Sequence, residues 1–239
     1  MTRSRPFATW RLDCYRAALN QDKPKLHPQR RVYVRRRTRT TVAQARALEH
    51  LDKYLLVPDS IEEAFGRIGP VLVEIGFGNG NALAEFALLN PDWNCVGIEV
   101  FRPGIGALIN QCERQEIKNV RIVDGEGLSY LESMLDNSVD LIWVLFPDPW
   151  PKTRHHKRRL VTREFALVVA QKLQNDGKLL IATDWASYAE EIEEALGDVE
   201  VLVGGIVEGA SDRVTTKYEA RGIGLGHSVT EFEYVKKVN

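Results

Sequence analysis

From position 71 onward the chain repeats one pattern: a short apolar run, an amphipathic segment at helical spacing, then another apolar run. Strand-length runs fall at 71–75, 94–100, 120–123, 139–146, 178–183 and 199–203, with a last one near 229–235. Between them, helical patterns cover 79–89, 105–115, 128–135, 162–173 and 185–196. Parallel strands need a long crossover, and the usual crossover is a helix. The alternation therefore predicts an α/β fold: a doubly wound, mostly parallel sheet with helices on both faces. A preceding helix is predicted over 42–56, ended near Pro58. The predicted organisation is a single domain over 41–239 behind a basic, flexible N-terminal arm over 1–40.

Charge placement supports that division. The total is −1, yet residues 1–50 hold 13 Lys and Arg against three acids, a net of +10 that leaves −11 for the rest. Arginines stand at 30, 31, 35, 36, 37 and 39. Such a run repels itself and is expected to stay extended until it meets a polyanion. Leu141 to Phe146, the longest clear apolar run, is strand-sized, so no membrane span is expected. Arg3, Arg5 and Arg11 precede no apolar segment of the kind a secretory signal carries. Cys14, Cys95 and Cys112 are odd in number and form no C-x-x-C pair. A cytoplasmic protein without a disulfide framework or a metal site is the expectation.

In doubly wound sheets ligands lie beyond the carboxyl ends of the strands, so the residues after each run matter most. Val71 to Asn81 reads VLVEIGFGNGN, with Gly76, Gly78 and Gly80 after the apolar run. Glycines there permit a tight turn and a close ligand approach. A dinucleotide fingerprint would need glycine at position 81, which is Asn81. Glu74, just before the loop, would repel a diphosphate but suits a cationic ligand such as S-adenosylmethionine. Glu99 closes the next run, about 20 residues on, where an acid can accept ribose hydroxyls. After the third run stand Asp124 and Glu126, either of which could meet an adenine amino group.

The fourth carboxyl end is the most distinctive, VLFPDPWPKTRHHKRRLV over Val144 to Val161. Prolines fix φ and stiffen the loop that carries Asp148. Lys152, Arg154, Lys157, Arg158 and Arg159 follow, suited to phosphate contacts. His155 and His156 have no carboxylate near them in sequence and read as RNA or solvent contacts, not metal ligands. Asp184 and Trp185 end a further run, and Thr216, Lys217, Tyr218 and Glu219 precede Gly222, Gly224 and Gly226. Taken alone, these last two segments could equally be ordinary turns.

The combination EIGFGNG, GIEVFRPGIG, FPDPWPKTRHHKRR, ATDW, TKYE and RGIGLGH, in this order, closely resembles the bacterial tRNA (guanine-N7-)-methyltransferases. The resemblance runs from about position 71 to the C-terminus. It implies a class I, Rossmann-like, S-adenosylmethionine-dependent methyltransferase with a seven-stranded mixed sheet. It further implies tRNA as partner and the variable-loop guanine, position 46, as target. Under it Glu74, Gly76, Gly78, Gly80, Glu99, Glu126 and Asp148 fall at cofactor positions, and Asp148 is also the catalytic acid. Lys152, Asp184, Thr216, Lys217, Tyr218 and Glu219 fall at substrate positions. Arg154, His155, His156, Lys157, Arg158 and Arg159 match the RNA-contacting run. Where the family usually has Asp followed by Ala, this chain has Glu126 and Gly127, and Asp124 remains the alternative contact. Monomer and homodimer both remain open. Methylation of an exocyclic amine, or tRNA binding without catalysis, are the competing functions.

Overall fold

The computed structural model describes residues 40–56, 61–208 and 228–237. Its elements are helix α1 (Val42–Leu48), a 3-10 turn (Leu51–Lys53), α2 (Ile61–Phe65), β1 (Val71–Ile75), α3 (Asn81–Leu89), β2 (Asn94–Glu99), α4 (Arg102–Arg114), β3 (Val120–Asp124) and α5 (Gly127–Ser133). The second half holds β4 (Val139–Leu145), a 3-10 segment (Thr153–Arg158), α6 (Arg163–Lys172), β5 (Leu173–Thr183), α7 (Ala186–Gly197), β6 (Leu202–Val207) and β7 (Thr230–Lys236).

The strands form one seven-stranded sheet in the order β3-β2-β1-β4-β5-β7-β6. Strands β1 to β5 run parallel, and β7 is antiparallel to both β5 and β6. From β1 the chain winds outward through β2 to β3, then returns to lay β4 on the other side of β1. That reversal opens a crevice at the carboxyl ends of β1 and β4. Both faces are covered, which is why the central strands are near-continuous apolar runs. On one face Leu83 and Phe86 of α3 and Leu108 and Ile109 of α4 pack on Leu72, Cys95, Ile122 and Trp143. On the other, Leu131 of α5, Phe165 and Val169 of α6 and Tyr188 and Ile192 of α7 pack on Val73, Val96, Ile142 and Ile181. Phe86 meets Trp93 and Trp143 edge-on at 5.2 and 5.1 Å. Truncating a side chain as enclosed as Trp143 or Phe165 to Ala costs about 3–5 kcal/mol.

Three of the boundaries that differ from the sequence reading are set by distant partners. The first helix stops at Leu48 because the chain beyond it serves the sheet. Ile122 N–H donates to the Tyr54 carbonyl at 2.7 Å and Leu56 N–H donates to the Ile122 carbonyl at 2.9 Å, covering the outer edge of β3. Strand β5 starts at Leu173, five residues before the predicted run, since Leu173 pairs with Val139 across a register shift. Strand β6 lies at Leu202–Val207, later than 199–203, because antiparallel pairing with β7 fixes its register.

Candidate functional site

Gly76, Gly78 and Gly80 have φ of 75°, 57° and 71°, the left-handed region that glycine reaches at little cost. Gly76 N–H donates to the Ile98 carbonyl at 2.8 Å, which locks the turn to β2. A Cβ on Gly104, in the first turn of α4, would stand 1.9 Å from the Gly78 carbonyl oxygen. Backbone therefore packs on backbone there, and the loop has its shape before any ligand arrives.

Three acids surround this loop. Glu74 is 3% exposed, and its Oε2 has no hydrogen-bond partner. Burial, and then the Glu99 charge, push its carboxyl up to about 8. Glu99 is fixed by backbone: Oε1 accepts from Val100 N–H (2.7 Å) and Phe101 N–H (2.9 Å), and Oε2 from Gly78 N–H (2.9 Å). Burial still raises it above the usual carboxylate range against those bonds, with the Asp148 charge adding to the rise. Glu74 and Glu99 thus repel each other at the buried end of the site, and the exposed Asp148 adds its charge to the repulsion on Glu99. A cationic ligand relieves that repulsion, and the orphaned Glu74 Oε2 is an acceptor for an ammonium group. The residues present therefore fit S-adenosylmethionine. Among the described residues no cluster of three or more His, Cys, Asp or Glu could hold a metal ion.

At the end of β3, Glu126 caps α5, with Oε2 accepting from Ser129 N–H at 2.9 Å and Ser129 Oγ at 2.7 Å. Asp124 forms an ion pair with Arg102 at 3.3 Å. The two neighbouring acids therefore have distinct duties within the fold.

Beyond β4, Phe146 and Trp150 bracket Asp148 with φ of 53° and 46°. Non-glycine residues in that region cost about 1–3 kcal/mol each and persist only when the surroundings enforce them. Phe146 N–H donates to the Ala182 carbonyl at 2.8 Å. Arg158 lies over the Trp150 ring at 4.9 Å, and His155 meets its edge at 5.9 Å. Partial desolvation and then the charges of Arg158, Arg154, Lys152 and Lys157 pull His155 below the ordinary imidazole value. Lys152, Arg154 and Lys157 are exposed, as phosphate contacts must be.

Two members of the basic run stand differently from the sequence reading. Arg159, expected to contact RNA, is 1% exposed with its guanidinium enclosed by Pro149 and α7. His156 has a carboxylate close in space, Glu191 at 3.0 Å, supplied by α7 from 35 positions away. The α7 partners of both lie far from the basic run in sequence.

Asp184 is exposed at the carboxyl end of β5, on the same sheet edge as Asp148. Trp185, beside it, donates from Nε1 to Ser187 Oγ at 3.0 Å. Thr216, Lys217, Tyr218 and Glu219 lie outside the described residues, as does the arginine run before position 40. Ser187, Tyr188 and Glu191 of α7 surround Arg159, which in turn bonds Pro149 beside Asp148, and sequence reasoning does not point to them. Their polar spacing along one turn of α7 was the available signal.

The mixed sheet, the glycine turn and the acids at the carboxyl ends of β1, β2 and β4 define a class I, Rossmann-like methyltransferase. Solved structures agree on the fold: a 16S rRNA (adenine(1408)-N(1))-methyltransferase from Catenulisporales acidiphilia superposes with a TM-score of 0.52 at 18% identity, over 77% of this chain and 92% of that one. A family model described as "Putative methyltransferase" matches residues 69–232. A tRNA (guanine-N(7)-)-methyltransferase of Alkalilimnicola ehrlichii is 42% identical over 219 residues, 87% of this chain and 92% of its own. One from Pseudomonas entomophila is 40% identical over 222 residues, with the same coverage. The chain belongs to the tRNA (guanine-N(7)-)-methyltransferase family.

Proposed function

We infer that this protein methylates N7 of the variable-loop guanine of tRNA, position 46, using S-adenosylmethionine, and forms 7-methylguanosine. The orphaned, buried Glu74 oxygen beside Glu99 and a preformed glycine turn supports the cofactor, and the tRNA (guanine-N(7)-)-methyltransferase relatives at 40–42% identity support the target.

When bound, S-adenosylmethionine supplies a methyl carbon whose bond to sulfur breaks as guanine N7 donates its lone pair. Because that lone pair is free in the ring plane, no residue has to remove a proton first. The work of the chain is alignment and charge compensation. Glu74 accepts the ammonium group. Glu99, its carboxylate fixed by three backbone N–H groups, faces the ribose hydroxyls. Glu126, its rotamer held by the cap to Ser129, serves the adenine. Asp148 orients the guanine and offsets the positive charge that grows on the purine. Asp184 and Thr216 to Glu219 hold the base or its ribose, and Lys152 a phosphate. Arg154, Lys157 and Arg158 follow the RNA backbone, with His155 and His156 beside them. The arm over 1–40 adds a salt-sensitive grip to the catalytic domain over 41–239. The enzyme works in the cytoplasm as a monomer or homodimer.

The test is methyl transfer from labelled S-adenosylmethionine to two unmodified transcripts, one with guanine at position 46 and one with adenine there. Label on the first alone is expected; equal label on both would overturn the assigned target.

A further inference from the structure

Arg159 has the connections of a strut. Its Nε–H donates to the Pro149 carbonyl at 2.8 Å. Nη1 donates to the Ser187 carbonyl at 3.2 Å and pairs with Glu191 at 2.7 Å, while Nη2 reaches Ser187 Oγ at 3.4 Å. The guanidinium also lies 4.7 Å from the centre of the Tyr188 ring. Four of its five N–H groups are thereby engaged, leaving too little for a phosphate to recruit. Tyr188 is buried in turn, and its hydroxyl accepts from Val161 N–H at 3.0 Å.

The connections join the two acids expected on the guanine. Pro149 follows Asp148 directly. On the other side, Ser187 Oγ also receives Trp185 Nε1, and Trp185 follows Asp184. A single guanidinium therefore bridges the loop after β4 to the start of α7, whose Ser187 in turn holds the Trp185 side chain from the loop after β5. The loop after β4 also carries left-handed backbone at Phe146 and Trp150, which needs such external fixing.

We propose that Arg159 is a positioning residue that sets the separation of Asp148 and Asp184 through Pro149, Ser187 and Trp185, and that it does not bind RNA. The proposal rests on the guanine-binding reading of those two acids. A lysine keeps the charge but presents a single point donor, which cannot span Pro149, Ser187 and Glu191 together.

The test is Arg159→Lys, with Ser187→Ala as a milder variant that leaves the arginine in place. In Arg159→Lys, kcat is expected to fall about 10- to 100-fold, since misplacement by an ångström has that scale of effect. KM for tRNA, its salt dependence and cofactor affinity stay within about threefold of wild type. Ser187→Ala shows a smaller fall, and the double variant is no slower than Arg159→Lys alone, as expected of residues in one network. In the ligand-free protein, amide exchange at Asp148, Trp150 and Trp185 speeds up in both variants. A higher KM with about one unit less salt slope, at unchanged kcat, would mark Arg159 as a phosphate contact and overturn the proposal. So would unchanged kcat with only a lower Tm. The amide-exchange arm needs no methyl transfer, so it judges the strut even if wild type proves inactive on tRNA and the functional reading fails.

Discussion

Replacing Glu74 by Gln removes the most displaced carboxyl of the site, and its consequences can be worked through. The ordinary value is 4.5, and burial with the Glu99 charge raises it to about 8 in the folded protein. Below pH 4.5 the group is protonated in both folded and unfolded chains and costs nothing. As pH rises toward 8 the unfolded chain gives up its proton first, and stability falls by about 1.4 kcal/mol per pH unit. The full cost, about 5 kcal/mol, is reached once pH passes the folded value. A cation on Oε2 reverses the preference by favouring the ionised form. At pH 7 the group is mostly protonated, so cofactor binding should expel most of one proton. The cofactor's own α-amino group, ordinarily near 7.7–8.0, is already mostly charged at that pH and contributes little. Titration calorimetry at pH 7 in two buffers of different protonation enthalpy reads the number directly. In Glu74→Gln the released proton should vanish, affinity should fall about tenfold or more, and the pH slope of stability should flatten. Wild-type binding without proton release, or a Gln variant with wild-type affinity, would refute the reasoning.

Other expectations follow from the same geometry. Gly104→Ala places a Cβ against the Gly78 carbonyl and should shift the glycine turn, costing about 1–3 kcal/mol of stability and about tenfold in cofactor affinity, read by thermal melts and calorimetry. Asp148→Asn should lower kcat about 100-fold or more in single-turnover assays while tRNA binding persists; full turnover would remove its catalytic role. Glu126→Ala should lose the α5 cap and about 1 kcal/mol in denaturant unfolding, and should weaken cofactor binding. Removing residues 1–39 should raise KM for tRNA and flatten its salt dependence; an unchanged slope would rule out the grip assigned to the arm.

Local periodicity carried most of the fold. The central parallel strands could be read because burial on both faces makes them short, mostly apolar runs, as in Val71–Ile75, where Glu74 is the one polar residue. The misplaced boundaries are where distant partners decide. Tyr54 to Leu56 read as the end of a helix, but the open edge of β3 takes them. Leu202–Val207 has two glycines and weak alternation, and β7 sets its register. Within the site, the glycines could be read because all three adopt positive φ, a requirement that side chains other than glycine meet poorly. The displaced Glu74 carboxyl depends on burial that sequence does not show, although its place before the glycines did suggest a cationic partner. The enclosure of Arg159 is hidden for the opposite reason. Five charged residues in one run look alike in sequence, and only packing against Ser187, Tyr188 and Glu191 separates the enclosed one from its exposed neighbours.

Identifying the methylated atom tests the central claim most directly. Unmodified tRNA is incubated with the protein and methyl-labelled S-adenosylmethionine, digested to nucleosides, and resolved by mass spectrometry against authentic standards. The expected product is 7-methylguanosine alone, lost in Asp148→Asn. Label on an exocyclic amine, or tRNA that binds but carries no label, would contradict it.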